Sequence, residues 1–349
     1  MPSRPWPWIS APGSGHHVGV NTRILLDRRP TGAITTDLFR FEQVPKPEPG
    51  PLDVVVRNIF LSCDPYLVGR IQSVFPVGEP VTVRVVGVVD VSRNPDLPEG
   101  TIVWGFLAWE EYTLVTGGRG LTVVDPGLGP ISHAISVLGM PGLTAYVGAI
   151  ELGRPTPGET FYVSSAAGAV GSVAGQLARM AGARAVGSAG SAAKCGHVTG
   201  TLRFDACFDR TAAIGDALDE HCPDGIDVYF DNVGGETLDA VLARLNPHAR
   251  IAVCGQISTY VEQGEGLRNI MAMLRQRATM TGFSIYDHTH KLPGFLPRMS
   301  DWLTAGDVVY VEDIRHGIEV VPDAFVGMLH GDNIGKRLVQ VSPDPTATP

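Results

Sequence analysis

Between Tyr162 and Lys194 the chain carries the residue types that hold a dinucleotide. Tyr162-Val163-Ser164 reads as a short apolar strand, Ala166-x-Gly168-x-x-Gly171 as a small-residue turn, and residues 170–180 as a small-residue helix. In such a turn the second glycine lets backbone approach a pyrophosphate, and the third lets helix and strand pack closely. The helix amides and dipole then face the phosphates. That chemistry assigns the close approach to the phosphates to Gly168 and the helix–strand packing to Gly171. Ala166 stands where the first glycine would be, and an ordinary turn built of small residues for packing is the other reading of these letters. The placement between a strand and a helix favours the nucleotide.

The residues beyond the turn select the nucleotide. An NAD site places Asp or Glu about 20 residues past the first glycine, on the ribose 2′-hydroxyl. Residues 160–204 contain no Asp or Glu, and Ser188, Ser191 and Lys194 occupy the region instead. Two hydroxyls and an ammonium suit a 2′-phosphate, which a carboxylate would repel. The segment therefore favours NADP. The competing reading has Lys194 merely starting a solvated helix.

A turn of this kind needs a parallel sheet behind it. From Thr144 to about Gly306, strands at 160–163, 185–187, 206–208, 226–230, 250–253 and 279–283 alternate with helices that include 237–245 and 292–304. This βαβ alternation predicts an α/β fold with a doubly wound parallel sheet. Up to about His133 the chain is β-rich, with β-branched runs at 24–26, 53–60, 81–91 and 101–106 separated by Pro and Gly clusters at 45–51 and 95–100. The tail holds an apolar run at 318–321, a short helix at 323–329 and a last strand at 336–341.

At 349 residues and 44% hydrophobic, the chain can bury a large core, and its length suggests two domains. A net charge of −9 without a basic run argues against nucleic acid as the main partner. Cys63, Cys195, Cys207, Cys222 and Cys254 are odd in number and irregularly spaced, which fits reduced cytosolic thiols better than a disulfide framework. Residues 1–19 lack the apolar core of a signal peptide, and nowhere do 18 apolar residues run together. The expectation is a soluble cytoplasmic protein with no membrane span.

Six ordered motifs narrow the family: Leu61-Ser62-Cys63-Asp64-Pro65-Tyr66, Gly139-Met140-Pro141-Gly142-Leu143-Thr144-Ala145-Tyr146, the turn from Ala166 to Ser172, Asp231-Asn232-Val233-Gly234-Gly235, Cys254-Gly255-Gln256-Ile257-Ser258-Thr259-Tyr260 and Asn333-Ile334-Gly335-Lys336. Together they resemble the zinc-free leukotriene B4 dehydrogenase/prostaglandin reductase branch of the medium-chain dehydrogenase/reductases, which also holds alkenal double-bond reductases and curcumin-reductase-like enzymes. The resemblance implies a GroES-like β-rich catalytic domain over residues 1–135 and 309–349, a Rossmann NADP-binding domain over 136–308, and a homodimer. It places NADP contacts on Ala169, Val170, Gly171, Ser172, Lys194, Asn232, Cys254, Gly255, Ile257, Ser258, Tyr260, Phe283, Ser284, Ile285 and Asn333. Where relatives often carry an aromatic near the 2′-phosphate, this chain has Asp209-Arg210-Thr211; Arg210 either pairs the phosphate bidentately or lies on the surface. Val68 stands where relatives often carry Arg, in a loop that lines the substrate pocket.

A nicotinamide supplies hydride, so the protein must place the acceptor and stabilise the charge it develops. Hydride at the β-carbon of an α,β-unsaturated ketone or aldehyde generates an enolate, and a hydroxyl donor aimed at that oxygen lowers the barrier. Tyr260 is the catalytic candidate, because it follows a strand at the carboxyl edge of the sheet, where Rossmann ligands bind. Packing against the nicotinamide is its alternative role. Tyr66 and Tyr286 are candidates for the wall of the substrate pocket. Zinc catalysis lacks its ligands: no His occurs between Val18 and Ser132, and no Cys between Asp64 and Lys194. A quinone reductase using the same cofactor and pocket, and a non-catalytic NADPH-binding redox sensor, are the competing functions.

Overall fold

The computed structural model describes residues 19–259 and 266–347. Antiparallel strands come first. β1 (Val20–Leu26) and β2 (Phe39–Pro45) form a two-stranded ladder, while β3 (Val54–Ser62), β4 (Thr82–Ser92), β5 (Ile102–Ala108), β6 (Tyr112–Val115) and β7 (Thr122–Val123) build most of a seven-stranded sheet. A second sheet is made of β8 (Thr160–Val163), β9 (Arg184–Ala189), β10 (Ala206–Asp209), β11 (Ile226–Asp231), β12 (Leu245–Val253) and β13 (Thr279–Gly282). Its order is β10-β9-β8-β11-β12-β13 and every pair is parallel. The chain then returns: β14 (Glu312–His316) pairs with β15 (Lys336–Gln340), which runs antiparallel to β3 and completes the first sheet.

The strand order reverses between β8 and β11. In an open parallel sheet that reversal opens a crevice at the carboxyl ends of the two strands. β8 is buried at all its positions, as a central parallel strand covered on both faces must be. The antiparallel sheet is sealed by an aromatic cluster: the Trp109 ring lies 5.2 Å from Phe39 and 5.7 Å from Phe325. Phe325 belongs to the helix Val321–Leu329, so this cluster ties the returning tail to the first strands.

Several boundaries move from the sequence expectation. The helix expected at 237–245 is Gly235–Leu242, because Leu245 already opens β12. The apolar run at 318–321 is a tight turn, Ile318–Val320, leading directly into the helix Val321–Leu329. Pro322 in its first turn starts that helix two residues early, since the ring presets a helical φ and the missing N–H is not needed there.

Candidate active site

The turn after β8 is held by close packing. A Cβ at Gly171 would lie 2.4 Å from the Ser165 carbonyl oxygen, so only glycine lets the helix Gly171–Met180 begin against the turn. At Gly168 a Cβ would meet Ser165 at 3.2 Å. Gly168 is also bridged to Gly335 of the tail, whose amide donates to the Ala167 carbonyl at 2.8 Å. Ala166, in place of the first glycine, is fully buried. Its methyl fits because position 187 on β9 is glycine: a Cβ there would come within 2.5 Å of it. The small residue has moved to the facing strand, and the space it frees is filled from the turn.

A donor without a partner stands at this turn. The Ser172 hydroxyl is buried with no hydrogen-bond partner among the described residues. A buried hydroxyl left unpaired is costly, and this one sits at the positive end of a helix. The residues fit a pyrophosphate. Further along, Ser191 caps the helix Ala192–Gly200, its Oγ accepting from the Lys194 amide at 3.3 Å. Lys194 thus does start a helix, yet its ammonium turns back to donate to the Gly331 carbonyl at 2.7 Å. Burial lowers the ammonium pKa; Asp332 opposes the shift and Arg210 adds to it. Arg210 is held through its amide on the Ala189 carbonyl at 2.8 Å, with its guanidinium beside Gly190. That guanidinium forms no ion pair among the described residues. Two cations close enough for Arg210 to lower the Lys194 pKa fit a 2′-phosphate.

Ser188 does not join them. Its hydroxyl lies 2.8 Å from the Tyr162 hydroxyl and is 2% exposed. Alternation along β9 turns it inward, so of the expected hydroxyl pair only Ser191 stays at the helix start.

The loops beyond β11 and β12 are laced to the same edge. Asn232 Nδ2 donates to the Ser164 carbonyl at 2.8 Å, spanning the switch point between β8 and β11. Asp231 fixes the loop by accepting from Tyr229 at 2.7 Å and from the amides of Val233 and Gly234 at 3.0 and 2.8 Å. Cys254 and Gly255 donate to the Asp231 carbonyl, and Ile257 and Ser258 to Asn232 and Val233. Burial, with Asp231 nearby, pushes the Cys254 thiol up to about 12, so it remains a neutral thiol. Phe283, Ser284 and Ile285 leave the same edge after β13, and Asn333 donates to the Gly335 carbonyl at 2.7 Å. Tyr260 lies outside the described residues.

Tyr66 and Tyr286 do come together, through a residue that sequence reasoning missed. Arg84 of β4 donates to Tyr66 at 3.3 Å and to Tyr286 at 3.2 Å. Burial, then Asp64, raises the Tyr66 phenol above its ordinary value, so it stays protonated. The available signal was a lone cation in the apolar run Val83-Arg84-Val85-Val86.

The donor set does not fit a zinc ion. Among the described residues, no three His, Cys, Asp or Glu side chains gather around one point. Burial pushes the Cys63 thiol up to about 12. The neighbouring polar pocket already holds a cation, Lys336, 2.8 Å from Asp64. Among the described residues no helix is long and apolar enough to cross a membrane.

A doubly wound sheet with phosphate donors at its switch point, joined to an antiparallel sheet through a returning tail, defines a dinucleotide-dependent oxidoreductase. The family model for the N-terminal domain of oxidoreductase matches residues 22–124, and that for zinc-binding dehydrogenase matches residues 169–301. The chain is 44% identical over 303 residues to the 2-alkenal reductase (NADP(+)-dependent) of Nicotiana tabacum, covering 84% of this chain and 88% of that one. It is 39% identical over 338 residues to the NADPH-dependent curcumin reductase of Escherichia coli (strain K12), covering 93% and 98%. The crystal structure of CurA in complex with NADPH from Vibrio vulnificus superposes with a TM-score of 0.85 at 36% identity, covering 93% of this chain and 100% of that one. The chain belongs to the medium-chain dehydrogenase/reductase family, alongside the alkenal, curcumin and prostaglandin reductases.

Proposed function

We propose that this NADP-dependent oxidoreductase reduces the activated carbon–carbon double bond of α,β-unsaturated ketones and aldehydes. The observation that carries the reading is its 44% identity, over 84% of the chain, to a 2-alkenal reductase. The overall change consumes NADPH, a proton and the enone, and yields NADP and the saturated carbonyl compound. Bound NADPH supplies the hydride, delivered to the β-carbon. Ala169, Val170, Gly171 and Ser172 bind the pyrophosphate, while Lys194 and Arg210 bind the 2′-phosphate. Asn232, Cys254, Gly255, Ile257, Ser258, Phe283, Ser284, Ile285 and Asn333 line the rest of the cofactor groove. Tyr260 donates a hydrogen bond to the enolate oxygen, and Tyr66 and Tyr286 wall the acceptor site. Residues 136–308 form the cofactor-binding domain in this reading.

Side-by-side turnover of an enone and a quinone with NADPH tests the reading. Preferred turnover of the enone is expected, and turnover of the quinone alone would replace it with quinone reduction. Cofactor choice gives a separate check. Lys194→Ala combined with Arg210→Ala should raise the Kd for NADPH by about 100-fold or more, since each charge-assisted bond is worth about 1.5–3 kcal/mol and two are lost. NADH, which lacks the 2′-phosphate, should bind nearly as before. Equal catalytic efficiency of the wild type with both cofactors would contradict the assignment.

We further propose a cytoplasmic homodimer. The five cysteines form no disulfide, which suits a reducing compartment, and the dimer rests on family resemblance. A sedimentation mass of 37.1 kDa, that of one chain, would contradict the dimer.

A further inference from the structure

We propose that Cys195 and Cys207 form a redox switch: a small disulfide such as oxidised glutathione converts them to an intramolecular disulfide that weakens NADPH binding. The bond rests on the placement of the two thiols. Its effect rests on the reading that gives Lys194 and Arg210 to the 2′-phosphate.

The five cysteines differ in their surroundings. Cys63 and Cys222 are buried, whereas Cys195, Cys207 and Cys254 are half-buried. Of these three, Cys254 has Asp231 nearby, and the other two meet each other. Cys195 stands near the start of the helix Ala192–Gly200, its amide donating to the Ser191 carbonyl at 3.0 Å. Cys207 lies on β10, the edge strand against which that helix packs. Both border the core cluster that holds Val198, Leu202 and Phe204. The Cys207 thiol donates to the Cys195 sulfur, with the Phe208 carbonyl, at 3.9 Å, as its other acceptor. Two thiols in contact, on adjoining elements and within reach of solvent, are the arrangement a disulfide requires.

Burial, then the bond to Cys195, holds Cys207 as a neutral thiol, so Cys195 makes the first attack. Its sulfur loses a proton and displaces one thiol from the small disulfide, leaving a mixed disulfide on Cys195. Cys207 then loses its proton, attacks the Cys195 sulfur and expels the second small thiol. Two protein thiols are oxidised and one disulfide is reduced to two thiols. Position gives the bond its effect. Cys195 directly follows Lys194, and Arg210 follows the end of the Cys207 strand. Closing the bond draws the sulfurs to about 2.05 Å. β10 is fixed by its ladder to β9, where Cys207 faces Gly187, so the movement falls on the helix start. There it displaces Lys194, whose ammonium is set by a 2.7 Å bond to the Gly331 carbonyl.

The test treats the full chain with oxidised glutathione and digests it with trypsin without reductant. Cleavage after Lys194, Arg203 and Arg210 releases residues 195–203 and 204–210. These should appear as one linked pair, lighter by one pair of hydrogens than their sum. Unmodified peptides, or separate glutathione adducts on each, overturn the proposal. Fluorescence titration of the oxidised protein should give a Kd for NADPH about tenfold or more above the reduced value, the loss of one charge-assisted contact. NADH should bind as before, and dithiothreitol should restore NADPH binding. Cys195→Ala combined with Cys207→Ala should bind NADPH like the reduced wild type, with or without oxidant. If that variant does not fold, reversal by dithiothreitol in the wild type decides. A linked pair with unchanged NADPH affinity overturns the switch and leaves enone reduction and the role of Lys194 standing. Equal weakening of NADPH and NADH on linking, with NADPH affinity unchanged in Lys194→Ala plus Arg210→Ala, overturns the 2′-phosphate reading and keeps the switch.

Discussion

Tyr260→Phe should lower turnover by at least about tenfold while leaving NADPH affinity nearly unchanged. Loss of one hydrogen-bond donor to a developing oxyanion commonly costs about 100- to 1,000-fold. The lower bound applies here because the ribose 2′-hydroxyl of the cofactor can donate to the same oxygen. Phe keeps the ring, so packing survives and the loss isolates the hydroxyl. The residues just before Tyr260 are anchored where the reaction would occur, with Ile257 and Ser258 donating to Asn232 and Val233 beside the switch point. Single-turnover hydride transfer that is unchanged in the variant would leave Tyr260 as pocket wall.

Lys336→Met should destabilise the fold by about 3–5 kcal/mol, the usual cost of removing one partner from a buried ion pair. The Lys336 side chain is 2% exposed and its ammonium bonds Asp64 and the Cys63 carbonyl. Burial alone would raise the Asp64 pKa, but Lys336 and then Arg84 outweigh it, and the carboxyl lies below its ordinary value. In the wild type, the stability from Asp64 is therefore present above its unfolded pKa and lost as pH falls through the lower folded one. In the variant burial prevails and the sign reverses, so the deficit should shrink as pH falls toward about 4. Denaturant unfolding at neutral and acid pH measures both. Asp64→Asn in the Lys336→Met background should recover much of the loss; failure to do so would show that the lysine acts by packing alone.

The strands that carry the site were legible because they are central. β8 is a run buried throughout, β11 holds a buried apolar stretch at 228–230, and β4 is rich in β-branched residues. β14, Glu-Asp-Ile-Arg-His, was not legible: it is an edge strand whose charges suit solvent. The helix Ala192–Gly200 contains two glycines and β-branched residues, so propensity hides it, and its Ser191 cap is the remaining signal. At the site, the glycine turn and Lys194 in its acid-free segment could be read from spacing. The inward turn of Ser188 and the meeting of Tyr66, Arg84 and Tyr286 could not, because they depend on which strand face looks where and on contacts between residues 202 positions apart.

The most direct test of the central claim tracks the transferred hydrogen. An enone incubated with the enzyme and NADPH deuterated at the nicotinamide C4 should give the saturated ketone with deuterium at the β-carbon, read by NMR. Deuterium on the carbinol carbon of an allylic alcohol, with the double bond intact, would show carbonyl reduction and contradict it.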